Sequence, residues 1–342
     1  MSAAVAAVTT SRSDILDFVN DPTVRLAVLG ASRDPNGKVT VLVLPHTVGR
    51  PRLAIKVPTT DAGAAAVTRE RRMLEALHRL NSSVIESTAP FPAESLTAGG
   101  REAMVLTLLP GTPLTTLYHR WGHTRSPRRV ARDLGAVGEW LARLHHETAD
   151  GDAHVDMDGG TARRLAQRFA QDPELAAVVV RVERACAVLQ RHRSPRTVVH
   201  GDLWCGNVLV RDGAVTGVVD WEEAELRGEP LRDLARFALT YALYLDRHTH
   251  PGALVAGHPG LHANAWGCGI DYLLYGNGWI CDLLRAFLRL GMRRLGVPGD
   301  LWREAVVAGV AEVAARADDE DFARAHLRVL ARLATGTRPE VR

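Results

Sequence analysis

Alternating apolar positions mark the first structured part of the chain. The stretch "VRLAVLG" from Val24, the turn-rich "ASRDPNG" and "KVTVLVLP" from Lys38 read as two strands around a Gly/Pro/Asn loop. "RLAIKVP", after "HTVGRP", supplies a third strand. The spacing changes in "AAAVTRERRMLEALHRL", where apolar residues recur at helical intervals among strong helix formers. "REAMVLTLL" returns to a buried strand, ended by "PGTP". From there helices dominate. "SPRRVARDLGAVGEWLARLHHE" opens on Ser126 and Pro127, a cap and a first-turn signal. A Gly/Asp loop, "TADGDAHVDMDGG", separates it from the helical "TARRLAQRFA" and "ELAAVVVRVERACAVLQRH". One β-rich stretch, "VVHGDLWCGNVLVRDGAVTGVVDWEEAE" from Val198 to Glu225, interrupts this half, and about four further helices follow. The pattern predicts an α+β chain of two lobes: a small β-rich lobe over residues 1–106, a connector over 107–113, and a larger helical lobe over 114–342.

Composition narrows the class. A chain of 342 residues, 46% hydrophobic and 24% charged, can bury a sizeable core in two lobes. A net charge of +3 gives no electrostatic case for nucleic acid. The beginning "MSAAVAAVTTSRSD" lacks a basic start with an apolar run, and no window of about 20 residues is apolar throughout. A cytoplasmic protein with no membrane or nucleic-acid partner, a monomer or homodimer, is expected. The four cysteines lack Cys-x-x-Cys spacing, which fits a reducing compartment. Of the 42 basic residues only Lys38 and Lys56 are lysines. In an arginine-writing background, a surviving lysine marks a place where a compact ammonium serves better than a planar guanidinium.

The β-rich stretch carries candidate chemistry. "NVLV-RDG-AVTGVVDW" reads as a hairpin turning at Asp212-Gly213, the dipeptide that supplies positive φ. Folding it sets Asn207, entering, beside Asp220, leaving, with Asp202 five residues before Asn207. Hard oxygen ligands on a loop edge suit Mg²⁺, which keeps few protein ligands and shares the rest with phosphate and water.

His-Gly-Asp-x-x-x-x-Asn, followed thirteen residues after the Asn by Asp-Trp, resembles the catalytic and metal-binding segments of the aminoglycoside phosphotransferase and choline kinase family, small-molecule kinases of the protein-kinase-like fold. "ELRGEPLRDLARF" resembles that family's Gly-Asp-Pro-x-x-Asp-Leu-Ala segment, with Glu229 in place of the first Asp. "LAIK" resembles the kinase strand whose lysine, here Lys56, touches the α- and β-phosphates. Glu70, fourteen residues on, is the expected partner carboxylate, and Glu75 is expected to be solvated. "LTLLPGTPL" resembles the family's hinge, placing Thr107 and Leu109 backbone groups, with Ala54, near an adenine. The loop "GASRDPNGK" departs from G-x-G-x-x-G, so Ser32, Gly37 and Lys38 are candidate phosphate contacts by position alone. The resemblance covers roughly residues 24–240.

It implies Mg²⁺-dependent transfer of the ATP or GTP γ-phosphate to a small-molecule hydroxyl. Asp202 would be the base, Asn207 and Asp220 the metal ligands, and His200 and Asp233 supports of the loop. An antibiotic acceptor, with resistance as the role, leads. A metabolic kinase of a sugar, choline or homoserine is the alternative, and a pseudokinase is disfavoured by the complete residue set. Cys205 has no visible base near it, and His248 and His250 match no zinc spacing. From Pro113 onward 30 Arg stand against 29 Asp plus Glu, a nearly neutral substrate lobe that disfavours a highly cationic aminoglycoside. The acidic run Asp318–Asp321 reads as a solvated helix start.

Overall fold

A computed structural model describes residues 24–31, 36–45 and 52–336. Contacts divide the chain into two compact units: residues up to Pro110 with Gly217–Glu223, and Gly111–Thr216 with Ala224 onward. The return of 217–223 to the first unit is something a single cut in the sequence does not anticipate.

The first unit is a five-stranded antiparallel sheet with spatial order β1-β2-β3-β5-β4. Its strands are β1 (Val24–Ala31), β2 (Lys38–Pro45), β3 (Leu53–Pro58), β4 (Pro92–Ala98) and β5 (Arg101–Thr107). Helices α1 (Asp61–Leu77) and α2 (Ser83–Thr88) lie between β3 and β4. Val43, Leu53, Ile55, Ala103 and Val105 form a buried core on the sheet. In the register, β3 is flanked on both sides, with Lys56 opposite Thr40 on β2 and Met104 on β5. Lys56 thus sits in the middle strand of the five, its backbone paired on both sides. Helix α1 is capped by Thr60, whose hydroxyl accepts from Gly63 N at 3.0 Å. Its buried stripe of Ala66, Val67, Glu70, Leu74 and Leu77 has helical spacing, so Glu70 is carried inward with the apolar face.

The second unit is mostly helical. Its helices are α3 (Leu114–Tyr118), α4 (Pro127–Glu147), α5 (Thr161–Arg168), α6 (Leu175–Leu189), α7 (Leu231–Leu243), α8 (Cys268–Tyr275), α9 (Trp279–Arg294), α10 (Trp302–Arg316) and α11 (Glu320–Thr335). Pro127 stands in the first turn of α4, but the Ser126 side chain makes no cap hydrogen bond. Helix α10 is buried almost all round and packs against α5, α6, α7 and α11. Short strands stitch the loops. β6 (Thr112–Pro113) pairs with β10 (Val208–Arg211), which pairs with β11 (Ala214–Val218). β7 (Asp152–His154) pairs with β8 (Arg193–Pro195), and β9 (Thr197–Val199) with β12 (Glu225–Gly228). The β10–β11 turn has φ of 54° at Asp212 and 84° at Gly213, the left-handed pair that a tight hairpin needs. Five helices follow Glu225 where the spacing counts about four. The extra one, α8, is eight residues long and buried at every residue but Tyr275, so it has no amphipathic period. No helix among the described residues is long and apolar enough to cross a membrane.

Burial gives this unit an acid sensitivity. Burial alone lowers His145 from 6.5 to about 3. It also lowers His326 to about 3 and His258 to about 4, more than offsetting backbone hydrogen bonds that favour their charged forms. Below pH 6.5 the unfolded chain binds protons at these sites and the folded chain does not. This contribution to stability is therefore present in full above 6.5 and is lost progressively as pH falls toward 3. Urea midpoints at pH 7.5 and 5.0 check this, and equal midpoints would defeat it.

Candidate active site

In the first unit, Lys56 is the centre of a charged cluster. Its Nζ donates to both Glu70 carboxylate oxygens, at 2.7 and 2.6 Å, and to Asp220 Oδ1. The Lys56 side chain is 7% exposed and that of Glu70 0%, whereas Asp220 is 42% exposed. Burial works to lower the Lys56 pKa, but the charges and hydrogen bonds of Asp220 and Glu70 reverse this and leave it raised. The ammonium is thus permanently charged.

Three consecutive residues tie the returning segment to this unit. Asp220 meets Lys56, the Trp221 amide donates to Glu70 Oε1 at 3.2 Å, and Glu222 accepts from Lys38 and from Asn36 Nδ2 at 3.4 Å. Trp221 is fully buried and its Nε1 donates to Val218 O at 2.8 Å. Asp220 itself has φ of 64°, a left-handed conformation costing about 1–2 kcal/mol in a residue with a Cβ. Such strain persists where surrounding contacts over-determine it, and here three neighbouring anchors do so.

In the second unit, the His200–Asn207 loop is held from α7. Asp233 Oδ2 accepts from His200 N at 2.6 Å and Oδ1 from Gly201 N at 2.9 Å. Gly201 has φ of 82°, which lets two successive amides converge on one carboxylate. Burial pushes the fully enclosed Asp233 carboxyl upward, while His200 and the two amides pull it down without cancelling that rise. His200 Nδ1 accepts from Asp202 N at 3.3 Å. Asn207 Nδ2 donates to the Asp202 backbone carbonyl at 2.9 Å and to Asp202 Oδ2 at 3.4 Å, which turns its Oδ1, an acceptor, away from that contact. A Cβ on Gly206 would overlap the Trp204 ring, so this close approach requires glycine. Asp233→Ala leaves two amides without their acceptor and is expected to cost at least about 2 kcal/mol. Urea unfolding measures the loss, and Asp233→Asn, which keeps one acceptor oxygen, should recover part of it. A wild-type midpoint for the alanine variant would refute the role.

Sequence reasoning missed two partners. Arg236 Nη2 donates to Asp202 Oδ1 at 2.5 Å, and Glu222 pairs with Lys38. Arg236 follows Asp233 by three residues, so helical spacing could have placed both on one face of α7. Nothing in the sequence singles out Glu222. Lys38 is mostly buried against that carboxylate. Glu229 is a buried hub, accepting from Asp156 N at 3.0 Å, Ser194 Oγ at 3.1 Å and Arg196 Nη1. The Thr107 amide donates to Phe91 O at 3.0 Å, and the Thr107 hydroxyl accepts from Phe91 N at 2.9 Å. Leu108 N bonds Arg52 O at 2.9 Å. Ala54 is buried in β3, Gly37 O accepts from Thr59 N at 2.9 Å, and Glu75 is exposed and paired with Arg71. Leu109 is half-buried. Ser32 lies outside the described residues. His248 is exposed and meets His119 Nδ1 at 3.1 Å. Cys205 is buried, and burial raises its thiol well above the usual range, which removes it as a nucleophile.

Among the described residues no group of three or more His, Cys, Asp or Glu could hold a metal by itself. One carboxylate and one amide oxygen are what a hard cation shared with phosphates would ask of a protein. Asp220 in the first unit and Asn207 in the second each carry a hard oxygen of the kind that Mg²⁺ accepts.

A sheet unit with a lysine–glutamate pair, followed by a helical unit with an aspartate-bearing loop, is the protein-kinase-like fold of small-molecule phosphotransferases. The chain belongs to the phosphotransferase enzyme family, whose model matches residues 40–263. Among solved structures it is similar to a thermostable mutant of aminoglycoside phosphotransferase APH(4)-Ia in ternary complex with AMP-PNP and hygromycin B. The TM-score is 0.56 and the identity 14%, over 95% of this chain and 100% of that one. It is also similar to macrolide 2'-phosphotransferase MphH from Brachybacterium faecium, with a TM-score of 0.52 and 18% identity over 96% and 99%. A type I macrolide 2'-phosphotransferase gives 0.51 and 16% over 94% and 98%. No curated protein matches the chain significantly.

Proposed function

We propose that this phosphotransferase moves the γ-phosphate of ATP or GTP to a hydroxyl of a small-molecule antibiotic. The observation that carries the reading is Lys56, buried and charged between Glu70 and Asp220. An ammonium kept charged at such a cost in desolvation is suited to nucleotide phosphates. The nucleotide and the antibiotic bound by the neighbouring APH(4)-Ia complex support the same class of donor and acceptor.

Lys56 would bind the α- and β-phosphates, with Glu70 holding its position. Asn207 and Asp220 would hold Mg²⁺, which when bound neutralises charge on the phosphates. Asp202 would accept the proton of the attacking hydroxyl or orient it. Asp233 and His200 would keep that loop in shape, and the Thr107 carbonyl and Leu109 would meet the base. Because phosphoryl transfer proceeds through a loose transition state, position and electrostatics supply most of the acceleration.

A coupled ADP- or GDP-release assay with Mg²⁺, run over antibiotics, sugars and amino alcohols, tests this. Turnover with an antibiotic is expected. Turnover confined to sugars or choline would give the metabolic reading instead, and absence of nucleotide binding by calorimetry would sink both. The near balance of 30 Arg against 29 acidic residues from Pro113 onward keeps the metabolic reading in view.

A further inference from the structure

The Asp202 carboxylate is engaged by a cation of its own unit. Arg236 bonds it at 2.5 Å, a charge-assisted contact, with the arginine side chain 23% exposed and the aspartate 35%. Arg236 Nε is buried without a hydrogen-bond partner among the described residues and is out of a ligand's reach, so the donors open to one are those of the Nη groups on this partly exposed side chain. Tyr244 stands just beyond the end of α7. Burial raises its hydroxyl, Arg236 and Arg247 pull it down and Asp202 pushes it up, so three charges act on one ring. The Arg247 guanidinium is 5.7 Å from the Tyr244 ring centre, and the Trp204 ring is 6.2 Å from it. Asp246 is the next acidic group in sequence, and it accepts from Cys268 Sγ at 3.1 Å. Arg236 thus meets Asp202 directly, and the Tyr244 ring, with Trp204 and the Arg247 guanidinium near it, feels the charge of both.

Resting on the phosphotransfer reading above, we propose that Arg236 is a specificity-determining positioning residue. It holds Asp202 and selects an uncharged or acidic, oxygen-rich hydroxyl compound with a flat face, and it turns away polyamines. Hydroxyl, carbonyl or carboxylate oxygens can accept the unused guanidinium donors and draw Arg236 toward the acceptor, freeing Asp202 for the reacting hydroxyl. An ammonium approaching Asp202 must instead compete with Arg236 for the same oxygens beside a like charge. Trp204 and Tyr244 offer ring faces to a flat ligand. The acceptor class differs from the amine-rich aminoglycosides although the fold is shared.

Calorimetric titration of the full chain with kanamycin, a polycationic hydroxyl compound, tests this without nucleotide. The wild type is expected to bind kanamycin no tighter than millimolar. Arg236→Gln is expected to bind it at least about tenfold tighter, and Arg236→Lys to restore exclusion. A merely structural arginine would give loss and not gain. Micromolar binding by the wild type overturns the proposal, as does a folded Arg236→Gln with unchanged affinity. Should that variant unfold, the wild type and Arg236→Lys decide. Titration of the same sample with ATP separates the two readings. Exclusion of kanamycin without ATP binding sinks phosphotransfer but not the charge selection. Phosphate transfer to kanamycin by the wild type does the reverse.

Discussion

Asp202→Ala is expected to lower phosphoryl transfer by about 10²–10⁴-fold and leave nucleotide affinity nearly unchanged. The loop does not depend on this side chain for its shape. Asp233 holds the His200 and Gly201 amides, and Asn207 bonds the Asp202 backbone carbonyl, which the substitution keeps. The main loss outside the chemistry is the partner of Arg236, a partly exposed pair that contributes little to stability. Single-turnover formation of ADP, together with calorimetric titration by nucleotide, separates chemistry from binding. Turnover within tenfold of wild type would remove Asp202 from its role, and a parallel fall in affinity would make it a binding residue instead.

Lys56→Met is expected to damage both activity and fold. Glu70 is fully enclosed, so removing its cation leaves a buried charge uncompensated, at a cost of about 3–5 kcal/mol. Lys56→Arg should not rescue it, because a planar fork cannot replace a compact ammonium within a central strand between two carboxylates. The double change Lys56→Met with Glu70→Gln separates the two contributions. Neutralising Glu70 should return much of the stability without restoring nucleotide binding, a coupling that a double-mutant cycle measures directly. Urea midpoints with an unchanged m-value would report it. A single Lys56→Met variant as stable as wild type would show that the buried pair is not what holds α1 to β3.

How much of this was legible in the sequence varies by element. Strands β1, β2, β3 and β5 and helix α1 read directly, the strands as apolar runs bounded by turn residues and the helix by its spacing, although β3 and β5 are buried almost throughout and Leu26, Val28 and Leu29 of β1 are exposed. β4 does not. It is an edge strand with Pro92 first and Leu96 as its one large apolar residue, so it needs no second apolar face. The strand pairs β7–β8 and β9–β12 are three or four residues long, too short to carry a period. In the site, Lys56 stood out as one of two lysines, and Asp202, Asn207 and Asp220 by their spacing around a recognisable turn. Glu222 and Arg236 had no such mark, since an acid or an arginine in this composition is ordinary until its partner is known.

The sequence by itself determined the local grammar: which of the longer segments are strands and helices, and the left-handed turn at Asp212–Gly213. Those properties depend on neighbours in the chain, and periodicity and turn chemistry record them. Only the tertiary structure decided that residues 217–223 return to the sheet unit, that Glu70 is enclosed with Lys56, and that Arg236 occupies the Asp202 carboxylate. Each of these is a pairing of charges 14 to 164 residues apart, and its strength is set by how far both groups are removed from water. That burial belongs to the packed molecule, and no stretch of sequence carries it.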